Sequence, residues 1–210
     1  MNKEPAMEFI ETLESLREVY GAASEGALKK QMAVLDPHAR AFLARSPFAA
    51  IGTQTPGGLG DVSPRGDGPG FVRVLDDHTI AIPDRPGNRR LDTMENIVRN
   101  PAVSLLFMIP GMNETLRING KGRITTDPAL CETLGMNGRP ALSVLVIEVQ
   151  EVYMHCAKAY IRSGLWKPET WPDRSEMPSL GEILRDQTAI AEEASKIDER
   201  LEENYRTQLW

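Results

Sequence analysis

The residues with the clearest chemical purpose lie between Pro83 and Pro101, in the stretch PDRPGNRRLDTMENIVRNP. Three arginines, Arg85, Arg89 and Arg90, crowd what reads as the start of a helix, entered near Asn88 after a turn at Gly87. Positive side chains sit poorly at the positive end of a helix dipole. Free amide N–H groups, that positive end and guanidinium forks together describe a seat for a phosphate. A solvated arginine cluster is the plain alternative. The apolar run that follows, VSLLFMIPG, reads as a buried strand and favours the phosphate. Leu91, Met94, Ile97 and Val98 share one helix face by their spacing. Pro101 closes the helix, because the residue before a proline is pushed out of the helical region.

Three other polar clusters could converge on the same ligand. Ser63-Pro64-Arg65-Gly66 places an arginine beside a glycine that allows close backbone approach. Arg117, Asn119 and Lys121 form the polar face of a strand whose other face is Leu116, Ile118 and Gly120. In HCAKAYIRSGLW, His155 to Trp166, Lys158 and Arg162 stand four apart on one helix face. Like charges at that spacing repel, and an anion or a nearby carboxylate would relieve them. Singly, each cluster also reads as ordinary surface: a turn arginine, a cross-strand ion pair, a solvated basic helix. Together with the arginine-rich loop they point to one ligand. Other chemistries find no motif. GxxxxGK, HExxH and GxSxG are missing. Three histidines and two cysteines, Cys131 and Cys156, give no metal-ligand spacing.

Bulk properties narrow the classes further. A chain of 210 residues suits one globular domain with extensions, and its net charge of −6 argues against nucleic acid as the main partner. No apolar run approaches membrane-spanning length, and the first residues lack a basic-then-apolar signal pattern. With two isolated cysteines, a reducing cytoplasmic setting is the expectation.

The elements that must position these clusters follow in order. Met7 to Tyr20 reads as an amphipathic helix with Phe9, Ile10, Leu13, Leu16 and Val19 on its apolar side and Gly21 as its stop. Ser24 caps a short helix through Lys30, and Asp36-Pro37 starts a third that runs to about Ser46. This lead-in, residues 1–46, is polar enough to lie on a surface. From Pro47 the chain turns to strands: FAAIGTQT, DVSPRGD, FVRVL, TIAIP, VSLLFMIPG, TLRINGKGRITTD and LSVLVIEVQEVYMHC. In the last, Val144, Val146, Glu148 and Gln150 alternate with Leu145, Ile147, Val149 and Glu151. Strands at hairpin spacing, interrupted by one long helix, predict a mainly β fold, an antiparallel β-barrel with flanking helices spanning 47–166. A Pro-rich linker and an acidic helical tail fill 167–210. In the tail Ile190, Ala194, Ile197, Leu201 and Tyr205 make a thin apolar stripe that needs a covering surface.

The order SPRG, strand, IPDRPGNRR-helix-NP, strand, PG, LRINGKG, HCxKAxxRSxLW resembles the FMN-binding split-barrel family related to pyridoxamine 5'-phosphate oxidase, and within it the PPOX-class subgroup. The resemblance covers about Ala41 to Trp166. It implies an antiparallel FMN-binding split β-barrel and a homodimer holding FMN at the subunit interface. It implies that Arg85, Asn88, Arg89 and Arg90 hold the FMN phosphate and that Ser63, Arg65 and Gly66 line the ring edge. Arg117 and Asn119 would approach the ring or ribityl chain, and Lys158, Arg162, Ser163 and Trp166 would reach across to the partner's flavin. Pyridoxamine phosphate oxidases end on an Arg-x-His strand that is not found here, which argues against vitamin B6 oxidation and leaves the small-molecule substrate open. The expected function is an FMN-dependent oxidoreductase. The alternative is a binding module of the same fold that stores or senses flavin or holds haem.

Overall fold

Residues 7–209 are described by the computed structural model, in two compact units that divide between Gln31 and Met32. The first unit holds α1 (Leu13–Tyr20) and α2 (Glu25–Lys29). Thr12 caps α1 by accepting the Ser15 N–H at 3.2 Å, and Gly21 ends it at φ 70°. The helix is therefore shorter than its apolar spacing suggests, and Phe9 and Ile10 lie before the cap. Ser24 caps α2 as its sequence position predicts.

In the second unit, alternating apolar residues form seven strands: β1 (Phe48–Gln54), β2 (Gly60–Gly66), β3 (Arg73–Val74), β4 (Thr79–Pro83), β5 (Ala102–Met108), β6 (Thr115–Thr125) and β7 (Val144–His155). They make one sheet in the order β2-β1-β5-β6-β7-β4-β3, and every pairing is antiparallel. Ala49, Ile51, Ile80, Ile82, Val103, Leu105, Phe107, Leu116, Ile118, Leu145, Ile147 and Val152 from five of these strands meet in one core. A single sheet can gather that many inward side chains into one cluster by curling on itself, with β2 and β3 left as open edges. The fold is a split antiparallel barrel. Helix α3 (Pro37–Leu43), part of the lead-in that reads as surface, contributes Ala39, Phe42 and Leu43 to this core. Helix α5 (Pro128–Thr133) covers the other face of β4, where Ala81, Cys131, Leu134 and Val144 cluster.

One irregularity in the sheet bears on the site. Between Asn119 and Gly120 the β6–β7 register slips, so that Asn119 faces Glu151 and Gly120 faces Val149, with Gln150 as the extra residue. Such a bulge switches the phase of a strand. Val149 and Val152 are both buried, and Glu151 turns to the outer face instead of following Leu145 and Ile147 inward as strict alternation predicts. Gly120 makes the bulge possible, since a Cβ there would stand 2.1 Å from the Glu148 carbonyl oxygen.

After β7 come α6 (Lys158–Ser163), two 3-10 turns (Pro168–Thr170 and Arg174–Glu176), α7 (Leu180–Thr188) and α8 (Ala194–Thr207). The last two pack as a hairpin. Asp198 of α8 accepts the Gly181 N–H at 2.7 Å, a carboxylate at the positive end of α7. Of the predicted tail stripe, Ile197 is buried, whereas Ile190 lies in the connection and Tyr205 stays exposed. Among the described residues no helix is long and apolar enough to cross a membrane.

Candidate functional site

Helix α4 runs Asp92–Arg99, four residues later than its sequence suggests. Arg85, Arg89 and Arg90 therefore belong to the loop that enters it. Its first turn carries Asp92 and Glu95, the sign that suits a helix N-terminus. The positive side chains therefore stand ahead of the helix, not on its first turn. Arg89 and Leu91 both sit at φ 59°, in the left-handed region that costs a side-chain-bearing residue about 1–2 kcal/mol. Strain of this kind gathers at ligand clamps. Asn88 holds the turn by accepting the Arg90 N–H at 3.1 Å. Asn88, Arg89 and Arg90 are exposed. Arg90 binds Asp92 at 2.8 Å, which raises the guanidinium further above its ordinary value.

Arg85 is engaged differently. Its Nε donates to Asp67 at 2.7 Å and its Nη1 to the Leu134 carbonyl at 2.9 Å, and the Asp67 side chain is 1% exposed. This arginine anchors the loop to the turn after β2 and to the end of α5.

Strand β2 brings Ser63 and Arg65 to the loop. Their register partners, Ile51 and Ala49, are buried on the inward face, so both point to the side of the sheet where α4 packs. Thr93 of α4 donates to the Ser63 hydroxyl at 3.1 Å. Burial lowers the Arg65 pKa against the opposing pull of Asp84 and Asp61, and burial pushes the Asp84 carboxyl up against Arg65 and Arg85. The Asp61 carboxylate adds a smaller upward pull on the Arg90 pKa after Asp92. Gly66, the end of β2, completes this first group.

Arg117, Lys158 and Arg162 form a second group. Pro64, Ala50, Leu106, Arg117 and Tyr153 are successive register partners across β2, β1, β5, β6 and β7, as are Val62, Gly52, Ser104, Asn119 and Glu151. These two rows are the outer face of the sheet, opposite Ser63 and Arg65. A cavity of about 570 Å³ lies over it, lined by Ala50, Gly52, Leu106, Arg117, Lys158 and Arg162 among others. The Arg117 guanidinium stacks on the Tyr153 ring at 5.7 Å, and its Nε donates to Asn119, whose Nδ2 donates to Glu151 at 2.8 Å. Trp166 does not line the cavity. Its Nε1 donates to the Met112 carbonyl at 2.7 Å and its ring stacks on Tyr160, fastening α6 to the β5–β6 turn. Ser163 turns back to the Tyr160 carbonyl. Burial raises the Tyr160 hydroxyl pKa.

A family model described as pyridoxamine 5'-phosphate oxidase matches residues 35–156, more than half of the chain. The chain belongs to the pyridoxamine 5'-phosphate oxidase family. The match begins at Leu35, just before α3, in keeping with that helix's place in the barrel core. Curated proteins give no match. Among solved structures, HupZ of Group A Streptococcus is 20% identical over 57% of this chain and 92% of its own, with a TM-score of 0.46. An FMN-binding protein from Syntrophomonas wolfei subsp. wolfei is 11% identical over 69% and 97%, with a TM-score of 0.44. A protein related to general stress protein 26, of the pyridoxinephosphate oxidase family, from Clostridium acetobutylicum is 16% identical over 52% and 80%, with a TM-score of 0.39.

For this member of the pyridoxamine 5'-phosphate oxidase family, the predicted site residues fall into two sets on opposite faces of one sheet. No motif marks Asp61, Asp67, Asp84, Asn96 or Tyr153, and Glu151 reads only as one position of the β7 alternation. Asp84 sits inside the arginine-rich stretch, half-buried beside Arg65 and Arg85. The others depend on strand register and on the bulge.

Proposed function

We propose that the protein is an FMN-dependent oxidoreductase acting on a small molecule, with each flavin held between two copies of the chain. The observation that carries this reading is the split of the cationic residues between two faces. Arg65, Arg89 and Arg90 gather on the α4 side, and Arg117, Lys158 and Arg162 gather over the outer cavity. A two-fold pair can set one copy's outer face against the other's loop and so complete two equivalent sites. The surface chemistry supports such a pairing. Leu91, just before α4, and Val98 on it are 53% and 76% exposed, and Val62 at the cavity rim is 74% exposed. A partner surface laid over these side chains would withdraw them from water.

The donor set fits FMN. Exposed Arg89 and Arg90 on a strained turn offer guanidinium and amide donors to a phosphate dianion. The outer cavity joins small and apolar side chains, Ala50, Gly52 and Leu106, to three cations, a lining suited to a flat ring that gains negative charge. Bound FMN would supply electron and hydride transfer to or from the substrate. The chain's part is to anchor the phosphate, to hold Arg117 over Tyr153 and in line with Asn119 and Glu151, and to keep water from the ring.

Purification tests the reading. The protein should be yellow or take up FMN on reconstitution, and it should lose the flavin when Arg89 and Arg90 are both changed to Ala. Reduction by NADH or NADPH without air, then reoxidation by candidate acceptors, should show turnover. A colourless protein that takes up no FMN refutes the proposal, and a bound flavin that never cycles assigns the fold to binding alone.

A further inference from the structure

Helix α4 buries more polar than apolar residues on its inner face. Its buried positions are Thr93, Asn96 and Ile97, whereas Val98 faces away from the barrel and Leu91, the residue before the helix, is exposed. Two of those three are polar, although the sequence offers an apolar face of Leu91, Met94, Ile97 and Val98. Burying amides and hydroxyls where leucine would serve is costly unless each finds a partner. Here each does. Asn96, 4% exposed, donates from Nδ2 to the Thr53 hydroxyl at 3.1 Å and lies 3.5 Å from Asp61 Oδ2. Thr53 in turn donates to Asp61 at 3.1 Å. Thr93, 3% exposed, donates to Ser63. The network ties one face of α4 to both strands of the β1–β2 hairpin.

Apolar contacts tolerate sliding and rotation, whereas a closed set of directional hydrogen bonds fixes one placement. The consequence falls on the loop that enters α4. Arg89 and Arg90 stand within three residues of Asp92, where the helix begins, and Arg65 stands two residues beyond Ser63. Any shift of α4 along β2 would carry Arg89 and Arg90 away from Arg65.

We propose that Asn96, Thr93, Thr53 and Asp61 are positioning residues that set Arg89 and Arg90 against Arg65 for the flavin's phosphate end. The inference rests on the FMN reading above. It makes the network's effect specific to the phosphate, because on this reading the ring lies over the outer cavity of the other copy and Arg65 belongs to the phosphate end, not to the ring edge that the family resemblance implies. The test compares FMN with riboflavin, the same ring without phosphate, by fluorescence quenching on wild-type protein and on Asn96→Leu, Thr93→Val and the double variant. Asn96→Leu leaves Thr53 its bond to Asp61, and Thr93→Val keeps the side-chain shape. Thermal melting of the ligand-free variants checks that they fold, and Thr93→Val alone suffices if Asn96→Leu does not. In the double variant FMN should bind about tenfold more weakly, the scale of one or two net hydrogen bonds, with riboflavin affinity unchanged within about twofold. Equal weakening of both ligands, or no weakening of FMN, overturns the positioning role while leaving the flavin reading intact. Wild-type protein that binds neither ligand overturns both.

Discussion

Replacing Arg85 with Met separates a loop anchor from a ligand contact. The Arg85–Asp67 pair is largely withdrawn from water, with the two side chains 18% and 1% exposed. Removing one member of a buried pair leaves the other charge uncompensated and costs about 3–5 kcal/mol. The lower end applies here, because Asp67 keeps the Gly68 N–H at 2.6 Å. The Leu134 carbonyl also loses its donor. A loss of about 3 kcal/mol corresponds to a fall in Tm of about 6–12 °C for a unit of this size. Scanning calorimetry of ligand-free protein reads it directly. Arg85→Met/Asp67→Leu should recover much of the loss, since an apolar pair can replace a buried ionic one. At a temperature where it stays folded, Arg85→Met should keep FMN affinity within a few-fold. Melting unchanged within about 2 °C, together with a large loss of FMN affinity, would refute the reasoning and make Arg85 a phosphate ligand.

Three other outcomes follow from the structure. Gly120→Ala would drive a Cβ to 2.1 Å from the Glu148 carbonyl oxygen, so the bulge must open at a cost of about 3 kcal/mol in urea denaturation; unchanged stability would contradict the bulge. Burial raises the Asp84 carboxyl pKa, so the folded chain binds more protons than the unfolded one just above the ordinary carboxylate value of about 4, and stability falls as pH rises through that window. Asp84→Asn should remove this slope, and a parallel pH profile for the variant would contradict the assignment. Trp166→Phe loses the 2.7 Å bond to the Met112 carbonyl and should cost about 1 kcal/mol, seen as faster amide exchange in α6; equal exchange would show that α6 is held by other means.

Much of this architecture was written in local patterns. Alternation in TLRINGKGRITTD gives β6 with its polar face out, and Asp36-Pro37 and Asp127-Pro128 start α3 and α5. Spacing misleads where tertiary partners overrule it. On α4 it picks Leu91, Met94, Ile97 and Val98 as one face, of which Ile97 is buried and Met94 half-buried, whereas hydrogen bonds to Thr53 and Ser63 turn Thr93 and Asn96 inward and Val98 stays exposed. On β7 it sends Glu151 inward, but a single extra residue reverses the phase. The site shows the same limit. The arginine-rich loop stands out in the sequence by its three cations, yet the engagement of Arg85 by Asp67 depends on a contact between residues eighteen apart. That Arg65 and Arg117 serve opposite faces is a matter of register, which no motif spells out.

The central claim, a flavin shared between two copies of the chain, is tested by mixing two defective variants. One carries Arg89→Ala and Arg90→Ala, and the other carries Arg117→Ala and Lys158→Ala. Each alone should take up little FMN. Unfolded and refolded together in equal amounts, they form mixed pairs in which one of the two sites has both intact faces, and about a quarter of the wild-type FMN binding should return. A mixture that binds no more FMN than its separate components would contradict the shared site.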